Sequence, residues 1–205
     1  MDPARLLLSV AVGSVAFALA RSVMKGDARS LFADNARAVD GIGGAPATRE
    51  EYLALIGPNE SDAMLSDMLR MNGCALTVRG LWRQAGVRHQ LLMRPYRVGM
   101  AVADVVQIAK DADAWRTSGE PLVGDVFLID NLEHVATVIE RPNASQIISV
   151  DGGQRDNAGN QLIRRRSRVL TDGVMFGNDG INDGVARRLI GYCDCVALAA
   201  AWGIA

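Results

Sequence analysis

The hydrophobic period of the chain changes near Pro121, and this change restricts the fold more than any other feature of the sequence. Before it, apolar residues recur at the 3.6-residue spacing of helices, as at Val102, Val105 and Val106. After it, apolar runs with a period of two are separated by turn residues, as in strands. Helices followed by strands predict an α+β fold, with N-terminal helices packed on one face of a meandering antiparallel sheet of about five strands.

The expected strands are short and each is bounded by residues typical of turns. A loop rich in Gly, Asn and Asp precedes the last of them. They cover residues 125–129, 134–140, 146–151, 162–170 and 186–195. The sequence repeats no segment, and its length suits one domain with appendages.

The 205 residues divide into three parts. Residues 1–25 hold an apolar run that ends in Ala18-Leu19-Ala20, a pattern typical of a cleaved signal peptide. A folded helix packed on the domain is the alternative, and either form allows a transient contact with a membrane. Residues 26–47 are small, polar and glycine-containing, which predicts a linker. Residues 48–205 form the main domain.

Composition excludes several classes of protein. The net charge is −1, so no overall positive field attracts nucleic acid. Three cysteines are too few for a disulfide framework. The basic run Arg164-Arg165-Arg166-Ser167-Arg168 lacks interleaved aromatic residues, and alternation places three of its arginines on one strand face. We expect a solvated face there, with carboxylates of a glycan or peptide as the alternative contact.

Cys74 stands at the start of a predicted helix that ends at Ala85-Gly86. Residues 71–73 form the turn before it. A thiol at a helix N-terminus meets unpaired N–H groups and the positive end of the dipole, which favour the nucleophilic thiolate. Gly73 leaves room for the backbone of a substrate. The alternative is that Cys74 is a small buried hydrophobic residue.

A cysteine mechanism has two candidates for its base, because His89 and His134 are the two histidines of the chain. His134 begins a strand, and Asp151 ends the next one, where a suitable register would let the carboxylate hold the imidazole. His89 lies in a loop without such a partner. Cys193 and Cys195 lack further ligands for a metal and are expected to face the core, so no metal or cofactor is predicted.

The order of these motifs resembles the papain-like amidohydrolases and peptidases of the CHAP and NlpC type, which are bacterial cell-wall hydrolases. The resemblance covers residues 51–195 and depends on order and spacing, because each short motif alone is weak. The matching segments are Gly73-Cys74-Ala75-Leu76, Gly124-Asp125-Val126, Glu133-His134-Val135-Ala136, Ser149-Val150-Asp151-Gly152-Gly153 and Arg187-Arg188-Leu189-Ile190-Gly191-Tyr192.

The resemblance implies roles for individual residues. Cys74 would attack an amide carbonyl, His134 would move the proton, and Asp151 would orient the histidine. Gln154 and Asp130 are alternatives for the third role. The N–H of Cys74 at the helix start would stabilise the oxyanion. The chain departs from the family at Glu133, where glycine is usual.

The function implied is hydrolysis of an amide bond in peptidoglycan through a thioester. The bond is either the muramoyl–alanine amide or one within the stem or cross-bridge peptide. Such an enzyme meets its substrate in the periplasm, in the cell envelope or after secretion; an inhibitor or immunity partner stays an open question. The alternatives are a thiol-dependent acyl transferase with the same residues, and an envelope-associated binding or structural protein without catalysis.

Overall fold

The computed structural model describes residues 28–43, 46–56, 62–93, 101–130, 133–178 and 184–204. The two interpretations of residues 1–25 lie outside this part of the chain. Among the described residues, no helix is both long enough and apolar enough to cross a membrane.

Helices precede the strands, and one helix follows them. The helices are α1 (Ala28–Arg37), α2 (Pro46–Ile56), α3 (Asp62–Ala85), α4 (Gln90–Met93), α5 (Val102–Asp111) and α6 (Cys195–Ala201). The strands are β1 (Trp115–Arg116), β2 (Val126–Ile129), β3 (His134–Asn143), β4 (Gln146–Arg155), β5 (Gln161–Thr171), β6 (Val174–Gly177) and β7 (Ala186–Cys193).

Six of the strands close into an antiparallel barrel. They lie in the order β7-β2-β3-β4-β5-β6, and β6 pairs back with β7; β1 extends the sheet beside β7. The expected fold, helices packed on an open meandering sheet of about five strands, is therefore wrong. The expectation lacked β1 and β6, and β6, which closes the barrel, lies in the segment interpreted as a loop. Register shifts in the β3–β4 and β4–β5 pairs add the local bending that helps a sheet to close.

The closed barrel has two hydrophobic cores, because both faces of its strands are covered. Alternate residues of β3, such as Val135 and Ile139, belong to the core between the barrel and the helices. The residues between them point into the barrel. The inner core consists of Phe127, Ile129, Ala136, Val138, Ile147, Leu170 and Met175.

Helix α3 is continuous, which corrects the expected turn at residues 71–73. Its 24 residues run from Asp62 to Ala85, so Cys74 lies in the helix interior and not at its start. A glycine in a helix interior costs about 1 kcal/mol relative to alanine. That cost is too small for Asn72-Gly73 to end a helix that packs on a barrel.

The predicted linker over residues 26–47 contains a folded helix. Helix α1 buries Phe32, Ala33 and Ala36, and two of these residues belong to the core between helices and barrel. Its small residues suit close packing on the neighbouring elements. Composition alone does not distinguish such a helix from a flexible linker, because both are rich in small residues.

Candidate active site

Helix α3 approaches strand β4 at glycine residues. A side-chain carbon on Gly73 would lie 2.6 Å from the Cα of Gly153, and one on Gly152 would lie 1.9 Å from Oγ1 of Thr77. The space beside Gly73 is therefore filled by the backbone of β4, and the expected room for a substrate backbone is absent there. This close packing brings Cys74 to the edge of the barrel.

His134 meets Cys74 at that edge. It is the first residue of β3, where it pairs with Ile129 of β2. Alternation along β3 points its side chain to the same face as Ala136 and Val138, which line the inside of the barrel. The Cys74 thiol lies near the His134 side chain and the backbone of Val135, close enough for both to lower its pKa.

Asp151 lies on the other side of the imidazole. Its Oδ2 is 2.6 Å from Nε2 of His134, and its side chain is fully buried. The pairing of Thr137 with Val150 sets the β3–β4 register that places this carboxylate diagonally across from His134. Since Asp151 occupies Nε2, the ring nitrogen left for the thiol is Nδ1. The structure thus brings the three predicted site residues into one chain of contacts, while their catalytic roles stay a prediction.

Two further residues hold Asp151, and the sequence did not indicate either. Arg168 of β5 donates from both terminal nitrogens to the two carboxylate oxygens, and its Nη1 lies 3.0 Å from Oδ1. Ser149 donates from Oγ to the same Oδ1 at 2.6 Å. The guanidinium also lies 5.4 Å from the ring centroid of Phe127. The carboxylate is therefore fixed from three directions inside the barrel.

The electrostatics of this chain favour a thiolate beside an imidazolium. Burial acts to raise the pKa of Cys74, but the hydrogen bond and charge of His134 lower it below the ordinary value. Burial acts to lower the pKa of His134, yet Asp151 and Cys74 raise it to about 9. Burial likewise opposes ionisation of Asp151, but the charge of Arg168 and the bond with His134 hold its pKa far below the usual range.

No family model, no curated protein and no solved structure matches the chain.

The interior position of Cys74 changes the source of its activation. Interior N–H groups of a helix bond to the carbonyl four residues earlier, so the unpaired N–H groups and dipole end of a helix start are not available. The expected oxyanion donor at Cys74 is wrong for the same reason. What lowers the thiol pKa is chiefly its contact with His134.

The other candidates for the third role have different partners. Gln154 accepts a hydrogen bond from Arg166 at 3.1 Å, and Asp130 pairs with Arg187 at 2.8 Å. Glu133, the departure from the family pattern, is exposed and lies 3.3 Å from the same Arg187. None of these contacts involves His134.

His89 is buried away from Cys74 and, contrary to the expectation, has a carboxylate partner, the exposed Asp111. Its Nε2 lies 2.9 Å from Asp111, its Nδ1 accepts from the N–H of Leu91, and its ring meets Trp202 edge-on. These contacts tie α4, α5 and the end of α6 together and explain the residue structurally.

Cys193 and Cys195 are buried, and burial raises the pKa of both thiols. Cys195 begins α6 and does not continue β7. Its sulfur lies near the carboxylates of Asp125 and Asp194, a group of three that is close enough to hold a metal. The guanidinium of Arg29 lies 2.9 Å from Asp125 and 3.2 Å from Asp194, and so supplies positive charge between them.

Proposed function

We propose that the protein is a cysteine-dependent amide hydrolase that acts on peptidoglycan through a thioester acyl-enzyme. The observation that carries the proposal is the contact chain Cys74–His134–Asp151, in which a buried thiol has its pKa lowered by a histidine that a buried carboxylate holds. Nucleophile, base and orienting group in this order form an arrangement that supports acyl transfer.

The first half of the reaction forms the thioester. The Cys74 thiolate attacks the amide carbonyl carbon, a C–S bond forms, and the carbonyl oxygen takes the negative charge. The imidazolium of His134 then gives its proton to the amide nitrogen, the C–N bond breaks, and the amine leaves. Asp151 keeps the ring in place through Nε2 while the other nitrogen gives up its proton.

The second half releases the acid. Neutral His134 takes a proton from water, whose oxygen attacks the thioester carbonyl carbon. A C–O bond forms, the C–S bond breaks, and Cys74 leaves as a thiolate beside the restored imidazolium. The sum is one amide and one water converted to one acid and one amine.

The choice of peptidoglycan comes from the resemblance to the CHAP and NlpC enzymes, whose motif order the chain shares. It places the reaction outside the cytoplasm, where the polymer lies. The same site chemistry on another amide or ester would be hydrolysis of a different substrate, and transfer to an amine instead of water would be acyl transfer.

Digestion of purified peptidoglycan tests the proposal. Wild type should release new muropeptides, whose masses name the bond cleaved, and Cys74→Ala and His134→Ala should release none. Cys193→Ala, which alters a buried thiol outside the site, should act like wild type. Unchanged muropeptides after treatment with folded wild type would refute the proposal, and products carrying an added amine would show a transferase instead.

A further inference from the structure

A cavity of about 250 Å³ opens beside His134 at the mouth of the barrel. It is lined by Ile129, Glu133, His134, Gln154, Arg166, Arg168, Gly177, Val185 and Arg187. Pockets for drug-sized ligands typically measure about 300–1,000 Å³, so this one suits a smaller group such as a single amino-acid residue.

The lining of this cavity carries three arginines, of which Arg168 is paired with Asp151 and Arg187 with Asp130 and Glu133. Arg166 and Arg168, which the sequence placed on a solvated face, are only 5% and 6% exposed, because that face of β5 points into the barrel. Arg187 lies at the rim with its side chain 41% exposed. Glu133 supplies the one carboxylate among the lining residues, and it is 65% exposed and lies beside Arg187.

Guanidinium groups bind carboxylates especially well. Their planar N–H donors match the two oxygens of a carboxylate, and such charge-assisted bonds strengthen where water is partly excluded. Arg166 is also held in place, because its Nη1 donates to Oε1 of Gln154 at 3.1 Å. A fixed, buried guanidinium loses less freedom on binding than a surface one does.

The position of His134 tells which part of a substrate reaches the cavity. His134 protonates the leaving amine, so the amine side of the scissile bond must lie next to its ring. The cavity is lined by this same residue. A group bound there consequently belongs to the leaving fragment and not to the acyl group held on Cys74.

We propose that the cavity binds a carboxylate of the substrate residue on the amine side of the scissile amide, with Arg166 and Arg187 as specificity-determining residues. The inference rests on the proposed hydrolase function and narrows its substrate class. Peptides with a free carboxylate on the leaving residue are then substrates, and the same peptides with that group amidated are poor ones.

The test compares two preparations of the same muropeptides, both acetylated on their amines, one with free carboxylates and one with these carboxylates converted to primary amides. Wild type should cleave the free form with a kcat/KM roughly tenfold to hundredfold higher, the value of one or two charge-assisted hydrogen bonds. Arg187→Gln and Arg166→Gln should each reduce this preference, because they lower kcat/KM for the free form more than for the amidated form. Arg165→Gln is the matched control, because Arg165 lies on the same strand but pairs with Glu140 outside the cavity.

A binding measurement separates failure of this inference from failure of the hydrolase proposal. Cys74→Ala is titrated calorimetrically with both preparations. Equal cleavage of the two forms by wild type would overturn the carboxylate site and leave the hydrolase standing. If wild type cleaves neither form, tighter binding of the free form, lost in Arg187→Gln, would support the carboxylate site without the hydrolase function. Equal binding of the two forms would then overturn both proposals. Circular dichroism shows if each variant is folded. If Arg166→Gln is not folded, the test depends on Arg187→Gln, whose residue lies at the rim.

Discussion

Asp151 is neutralised by Arg168 as well as by His134, which sets this site apart from a simple carboxylate–histidine pair. Both carboxylate oxygens receive guanidinium N–H groups in a fully buried setting. A buried charge without such partners would cost several kcal/mol. Arg168 therefore keeps Asp151 ionised, and ionised Asp151 keeps the imidazolium of His134 stable at neutral pH.

The thiol of Cys74 should react selectively with iodoacetamide in native protein at pH 7. Its pKa is lowered by His134, whereas burial raises the pKa of Cys193 and Cys195. An ordinary thiol is only a few per cent ionised at this pH, so His134→Ala should slow labelling roughly tenfold. Mass spectrometry of peptides identifies the labelled residue. Equal labelling of all three cysteines, or no effect of His134→Ala, would contradict the contact with His134.

The activity should fall as the pH rises through about 9. The pKa of His134 is raised from 6.5 to about 9, and above it the imidazolium that protonates the leaving amine is lost. On the acid side, activity should fall when the Cys74 thiolate is protonated, at a pH below the ordinary thiol value. A profile of kcat/KM against pH measures both limbs.

A pair of variants tests the cause of the alkaline limb. Asp151→Asn should move that limb to lower pH, because Asp151 is the leading group that raises the pKa of His134. Asp111→Asn removes the other carboxylate–histidine pair, at His89, and should leave the limb in place. A limb unchanged in Asp151→Asn would mean that it reports a different group.

The sequence predicted Cys74 from a helix start and His134 and Asp151 from strand ends. The structure brings the three residues together, although Cys74 lies in a helix interior. The contact of Arg168 with Asp151 was not predicted, because a run of alternating arginines fits a solvated strand face as well as a buried one. Only the closed barrel decides between them, because closure turns the Arg166 and Arg168 face inward. The distinction thus depends on pairings between distant strands, which local periodicity does not contain.

At the scale of the elements, the contact between α3 and β4 positions the nucleophile. Thr77 donates to the carbonyl of Gly73 at 2.8 Å, and Gly152 packs against the same threonine. The sequence pattern predicted that Gly73 ends a turn. In the structure, its lack of a side chain allows the β4 backbone to pack closely against α3. Helix signals in a sequence do not reveal which glycine a partner strand requires.

Gly73→Ala should destabilise the protein, although alanine is the better helix former. The propensity gain is about 1 kcal/mol, but the new methyl group would lie 2.6 Å from the Cα of Gly153. Overpacking of this kind costs about 1–3 kcal/mol, so we expect a net loss in the free energy of unfolding. Urea denaturation measures it, and slower alkylation of Cys74 should accompany it as α3 moves away from His134. A gain in stability would show that helix and strand are not in contact at this glycine.

At the scale of the whole molecule, a single short strand makes the difference between an open sheet and a barrel. Strand β6 pairs with β5 on one side and β7 on the other. The residues on both sides of β6, Asp172-Gly173 and those after Gly177, are typical of loops. The sequence pattern therefore did not predict this strand. The longer strands β3, β4 and β5 were each found from their apolar residues, but strand lengths alone do not state that the edges meet.

Met175→Ala should therefore cost far more than a substitution in a loop. Met175 of β6 is fully buried and packs with Phe127 and Leu170 in the inner core. Removal of a buried methionine side chain typically lowers the free energy of unfolding by about 2–5 kcal/mol, which urea denaturation would measure. Val174, the preceding residue of the strand, is half-buried and points to the opposite face, so Val174→Ala should cost less than Met175→Ala.

Because β6 also carries Gly177 to the cavity beside His134, Met175→Ala should weaken cleavage of free-carboxylate peptides as well. If Met175→Ala were as stable as wild type, β6 would not close the barrel, and the inward direction of Arg166 and Arg168 would lose its structural basis.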